Sequence, residues 1–137
     1  MSNPLAPFEA ENALETAIMA TQAGTFPVPR LLQAILETDL FVSSRTEILK
    51  DGSGFQPLLI GDEKAPMVCA FSALSRPALH RERAGYVLRV NGRGFFQRLP
   101  AGYGIALNPG FVAQLAIQAN MVDQVRKELA AAVPPSP

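Results

Sequence analysis

The chain has 137 residues, of which 48% are hydrophobic and 18% charged, with Lys plus Arg balancing Asp plus Glu at 12 each. That length suits one domain with a buried core, and the composition excludes a chain disordered throughout. Charge balance also lacks the basic excess of a nucleic-acid binder, so no nucleic-acid partner is expected.

Arg76, Arg81, Arg83, Arg89, Arg93 and Arg98 give the middle of the chain a local basic bias that Glu82 alone offsets. Solvated helix surfaces explain it more simply than a polyanion site. Cys69 is the one cysteine and His80 the one histidine. A lone thiol inside an apolar run fits a reducing compartment, and two residues do not make a metal cluster. No cofactor or metal is therefore expected. Met1-Ser2-Asn3-Pro4 lacks the features of a signal peptide, and no apolar run reaches the ~20 residues of a membrane span. The expected location is the cytoplasm, with no membrane partner.

Residues 1–7 carry two prolines and no periodicity, so 1–9 is expected to be a flexible lead-in to a single domain over 10–132. A helix is predicted from Phe8 to Ala23, with Ala10, Leu14, Ala17 and Ile18 at helical spacing and Gly24 as its stop. A stiff connector, 25–29, leads to a second helix from Pro29 or Arg30 to Glu37. Its apolar face is Leu31, Leu32, Ile35 and Leu36. Residues 40–44 read as a short strand, which Ile48 and Leu49 extend or follow with a hairpin. Asp51-Gly52-Ser53-Gly54 is a turn cluster.

Strands are then predicted at 55–60 and 66–71, joined through Gly61-Asp62-Glu63-Lys64 as a hairpin. The second is apolar almost without a break, which suits a central strand covered on both faces. Pro57 puts the first near an edge or a bulge. A helix capped by Ser72 or Ser75 is predicted to run to Arg83. A strand at 86–90, a helix at 93–99 and a strand at 102–107 follow. Phe111 to Ile117 is a candidate last strand. Asn120 is expected to cap a helix reaching Ala132, and 133–137 is a Pro-rich tail expected to be disordered. The order implies an α+β fold with a mixed sheet of five or six strands and helices packed against it.

Three ordered segments resemble the SseB N-terminal domain family. They are Asp51-Gly52-Ser53-Gly54-Phe55-Gln56-Pro57-Leu58-Leu59, Pro66-Met67-Val68-Cys69-Ala70-Phe71-Ser72, and Pro100-Ala101-Gly102-Tyr103-Gly104-Ile105-Ala106-Leu107-Asn108-Pro109-Gly110. Asn12-Ala13-Leu14-Glu15-Thr16-Ala17 and Tyr86-Val87-Leu88 look similar too, so the likeness spans about residues 10–118. It implies the fold and a bacterial origin. It implies no enzymatic activity or catalytic residues, and related domains occur in secretion and toxin–immunity contexts.

Candidate chemistry is sparse. Nucleophilic catalysis needs a nucleophile, a base and an orienting group, and His80, in an Arg-flanked helix, reads as a surface residue. Cys69 reads as a buried structural thiol. Gly102-Tyr103-Gly104 precedes a strand, whereas a phosphate loop follows one; Gly92-Arg93-Gly94 lies between strand and helix but lacks a dinucleotide fingerprint. The expectation is a non-catalytic protein-interaction module, adaptor or regulator, acting as monomer or homodimer. An immunity protein that neutralises a toxin is one alternative, and a small-ligand sensor or an enzyme is another. If the strands ending at Ser72, Asn91 and Asn108 are parallel, their following loops share one rim. That rim would carry Ser72, Ser75, Arg76, Asn91, Arg93 and Asn108, and is expected to receive an acidic segment of a protein partner.

Overall fold

A computed structural model of the chain describes residues 5–131; the expected tail at 133–137 lies outside the described residues. The first helix, α1, is Ala13–Gln22, shorter at its start than the 8–23 predicted. Asn12 sets the boundary: its side chain accepts the Glu15 N–H at 2.9 Å, an N-cap bond that satisfies a donor the helix leaves free. At the other end Thr25 N–H reaches the Ala20 carbonyl and Gly24 N–H the Thr21 carbonyl. Gly24 takes φ +80° there, the left-handed turn that ends many helices.

Phe8 is used elsewhere. Its ring meets that of Phe111 edge-on, and Ala6 forms a bridge with Phe111. Residues 5–9 of the expected lead-in are thus laid against the body by backbone and aromatic contacts, not left free.

The second helix, α2, is Val28–Leu36, with proline in its first turn as anticipated. Strand β1 is Asp39–Ser44, β2 is Leu59–Asp62 and β3 is Ala65–Phe71. The β2–β3 hairpin is tight, because Asp62 pairs with Ala65. β2 begins later than the 55–60 predicted. Gln56 and Leu58 instead bond to the end of β1, through Arg45 N–H to the Gln56 carbonyl and Leu58 N–H to the Ser43 carbonyl. Pro57, with no N–H to give, sits at that junction in an isolated bridge with Ser44.

No helix runs from 72 or 75 to 83: one 3-10 turn, Pro77–His80, stands in its place. The reason is local. Ser72 is buried and bonded sideways instead of capping, and Arg76 is held by α1. Strand β4 is Tyr86–Asn91, helix α3 is Gly92–Arg98 and strand β5 is Gly104–Leu107. Strand β6 is only Leu115–Ile117, since Asn108 and Gly110 turn the chain and Phe111 bridges to the N-terminal segment. Helix α4 is Ala119–Ala131. Its first backbone bonds run from the Met121 and Val122 N–H groups to the Gln118 carbonyl, so Gln118 takes the cap position expected of Asn120.

The six strands form one mixed sheet in the order β4-β1-β3-β5-β6, with β2 also paired to β3. β1 and β2 share one edge of β3: β1 pairs at Phe71 and Ala70, β2 from Val68 to Ala65. Because β1 is antiparallel to both β3 and β4, and β5 is parallel to β3, the strands β3, β4 and β5 point the same way. Alternation along β3 serves two cores. Val68 and Ala70 join the helices' Leu14, Ile18, Leu31, Ile35, Phe96 and Val122. Cys69 and Phe71 join Leu58, Ala84 and Phe111 on the opposite face. A strand buried on both faces is what its unbroken apolar run encodes.

Candidate functional site

The parallel strands bring the carboxyl ends of β3, β4 and β5 to one rim, and the six predicted site residues divide there into two groups. Ser72, Ser75, Arg76 and Asn108 gather around two carboxylates of this chain's own α1 region. Glu15, 0% exposed, accepts two bonds from the Arg76 guanidinium, Nε at 3.0 Å and Nη2 at 2.7 Å. Ser72 Oγ donates to the same carboxylate at 2.5 Å, and the Glu11 N–H donates at 2.9 Å. Asn108, at φ 53°, donates to Ser72 Oγ through Nδ2 at 2.9 Å and accepts the Ser72 N–H at 3.1 Å. Glu11 takes Ser75 Oγ at 2.6 Å and lies 3.2 Å from Arg76. Phe8 lies flat beneath Arg76, its ring centre 4.0 Å from the guanidinium carbon.

Burial alone would raise the Glu15 pKa. The bonds from Arg76, Ser72 and the Glu11 amide, with the Arg76 charge, outweigh it and hold the carboxyl below its ordinary value. Arg76 is pushed the other way, chiefly by its bonds to Glu15. An acidic segment does sit at this part of the rim, and it belongs to the chain itself. Ser72 and Asn108 are buried with it.

Asn91 and Arg93 stand apart, since β1 lies between β3 and β4. Asn91 Oδ1 accepts the Gly94 N–H at 3.3 Å and caps α3, while the Gly92 N–H goes to the Thr38 carbonyl. These backbone donors are therefore occupied. Arg93 is exposed.

Cys69 is 0% exposed, and loss of hydration pushes its thiol up to about 11, outweighing a nearby Arg83. That is the reverse of an activated nucleophile. His80, read from sequence as a surface helix residue, is half-buried: its Nε2 pairs with the Pro109 carbonyl at 2.7 Å and its ring leans on Phe71. Among the described residues no three His, Cys, Asp or Glu side chains group as metal ligands would.

A different feature lies elsewhere on the surface. An open groove of about 860 Å³ lies between the helix-facing side of the sheet and α3. Val42, Leu59, Val68, Leu88 and Val90 line it from the strands; Phe95 and Leu99 line it from α3 and the residue that follows; Phe55 and Tyr103 add aromatic walls. Its charged lining residues are Arg45, Arg89 and Arg98, and no Asp or Glu is among them. Arg89 is paired with Asp39 at 2.8 Å. Among the described residues, Arg45 and Arg98 have no carboxylate within 4.0 Å. The lining offers no histidine, cysteine or carboxylate for acid–base or nucleophilic work; it offers apolar surface and two free cations.

Sequence reading did not assemble this groove. Its walls come from the 45–57 segment, α3 and the segment after it, which are far apart in sequence. The available signals were weak ones: two aromatics beside glycine, Phe55 and Tyr103, and arginines flanking apolar runs. No protein-family model matches the chain, and no curated protein or solved structure matches it either.

Proposed function

We propose that this chain is a non-catalytic protein-interaction module, an adaptor or regulator, whose groove beside α3 takes an apolar segment of a partner flanked by acidic residues. One observation carries the reading: an apolar, aromatic-walled groove in which every charged lining residue is an arginine. Aromatic and arginine side chains dominate the energetics of protein interfaces, and a cation without a partner favours a carboxylate. At the rim, by contrast, Arg76 already holds Glu15, so the acidic partner anticipated for that rim is assigned here to Arg45 and Arg98 instead. An immunity protein is the special case in which the partner is a toxin.

A second reading is favoured by size. Small-ligand sites occupy roughly 300–1,000 Å³ and are mostly apolar with a few polar groups. An organic acid with an apolar body would suit this groove on the same chemistry.

The test is selection of random twelve-residue peptides on the folded protein, counter-screened on the Arg45→Glu, Arg98→Glu double variant. Both side chains are exposed, so the variant is expected to fold. Enrichment of apolar sequences with Asp or Glu, losing affinity on the variant and in high salt, supports the module. No enrichment, or enrichment indifferent to the charge reversal, overturns it. Strong thermal stabilisation by medium-chain carboxylates, with no peptide enriched, would instead establish the small-ligand reading.

A further inference from the structure

The groove reaches an unpaired sheet edge. Among the described residues β4 has one neighbour, β1, and is six residues long, whereas β2 and β6, which also have one partner each there, have four and three residues. Gly92 N–H bonds to the Thr38 carbonyl at 2.9 Å, and the β1–β4 register continues that pairing residue by residue to Ser44 and Tyr86. Antiparallel pairs alternate between bonded and unbonded. Tyr86, Leu88 and Val90 therefore turn their N–H and C=O groups toward β1, while Val87 and Arg89 turn theirs outward, as does the N–H of Asn91, whose C=O begins the α3 ladder. Tyr86 is 46% exposed and Val87 37% exposed. Proteins commonly blunt such an edge with charged side chains, proline or a bulge; β4 contains no lysine or proline, and its one charge, Arg89, is held by Asp39 of the neighbouring strand. Leu88 and Val90, on the face that turns toward the helices, line the groove.

We infer that the partner segment binds as an added strand on β4. The inference rests on the groove reading above and specifies its geometry. An extended stretch of about six residues pairs with the outward groups of Val87, Arg89 and Asn91. Its side chains on the groove face are apolar at the centre, continuing the row Tyr86, Leu88, Val90, and acidic at the two ends, where the carboxylates meet Arg45 and Arg98. A second copy of this chain is the other occupant for such an edge. It is disfavoured because pairing β4 with β4 sets one arginine-lined groove beside another, whereas an acidic segment complements both free cations.

The probe is a synthetic octapeptide, Glu-Thr-Val-Thr-Val-Thr-Glu-Thr, whose odd-numbered residues share one face in a strand, in three forms: unmodified, N-methylated at every odd-numbered residue, and N-methylated at every threonine. In a strand the backbone N–H groups facing the partner belong to alternate residues. One methylated form is thus expected to lose binding at least about tenfold and the other to retain it. Amide exchange on the complex should slow at Val87, Arg89 and Asn91 and stay unchanged at Leu88 and Val90, whose N–H groups already bond to β1. Equal effects of the two methylation patterns, or no slowing at the three outward amides, overturn strand addition. If binding then still falls in the Arg45→Glu, Arg98→Glu variant, the groove reading stands without it. Absence of binding at millimolar peptide also overturns strand addition, and leaves the groove to be judged by the peptide selection. Slowing of the same three amides in the free protein as its concentration rises, with dimers in sedimentation, would assign the edge to a second copy.

Discussion

Glu15 and Arg76 are mutually dependent. Each is buried, and neither charge is tolerable there without the other. Glu15→Gln removes the buried carboxylate and leaves Arg76 only the half-exposed Glu11 at 3.2 Å and the Phe8 ring, so it is expected to cost about 3 kcal/mol in denaturant unfolding at pH 7. Replacing both together, Glu15→Leu with Arg76→Met, should recover most of that loss. A cost below about 1 kcal/mol for Glu15→Gln would contradict the pairing. The pH dependence follows in sign. The folded-state pKa of Glu15 lies below 4.5, so its contribution is complete above that value. It is lost as pH falls through 4.5 toward the folded-state pKa. Melting temperature measured from pH 7 downward should therefore fall more steeply in this window for the native protein than for Glu15→Gln. At the same scale Cys69, buried with its thiol pushed up to about 11, should react with a thiol reagent far more slowly in the folded than in the unfolded chain. Equal rates would contradict its place in β3.

Two glycines of α3 separate packing from propensity. A side chain on Gly92 would run into the Ile35 carbonyl at the end of α2, whereas one on Gly94 meets nothing within 4 Å. Gly92→Ala should cost about 1–3 kcal/mol through forced separation of the two helices. Gly94→Ala should be neutral or stabilise by about 0.5–1 kcal/mol through helix propensity. Thermal unfolding of the two variants checks the pair, and equal effects would mean that α2 and α3 do not approach as closely as described. At this scale much of the fold could be read from sequence. The apolar run at 66–71 announced a strand buried on both faces, and the stripe Leu31, Ile35 and Leu36 announced α2. What failed was the helix over 72–83. Its residues favour a helix, but Ser72 and Arg76 are claimed by Glu15, 57 and 61 positions earlier. A local rule cannot foresee a bond made at that separation. β6 shrank for a similar reason, since Phe111 pairs with Ala6 far up the chain.

At the scale of the whole molecule, four helices cover one face of a six-stranded sheet, and the turn at 77–80 with the N-terminal segment helps to cover the other. Parallel β3, β4 and β5, anticipated from strand–helix alternation, do place Ser72, Asn91 and Asn108 on one rim. Which cations remain available was not legible. Arg76 is paired with an acidic residue of α1, while Arg45 and Arg98 are left over beside a groove that only the folded chain assembles. The central claim is that this groove, and not the rim, is the binding surface. Methyl NMR during titration with a peptide from the selection tests it most directly. The account predicts that shifts concentrate on Leu59, Leu88, Val90 and Leu99, with the Ala73 methyl unmoved beside Ser72 and Arg76. Shifts centred on Ala73, or spread evenly over the protein, would contradict it.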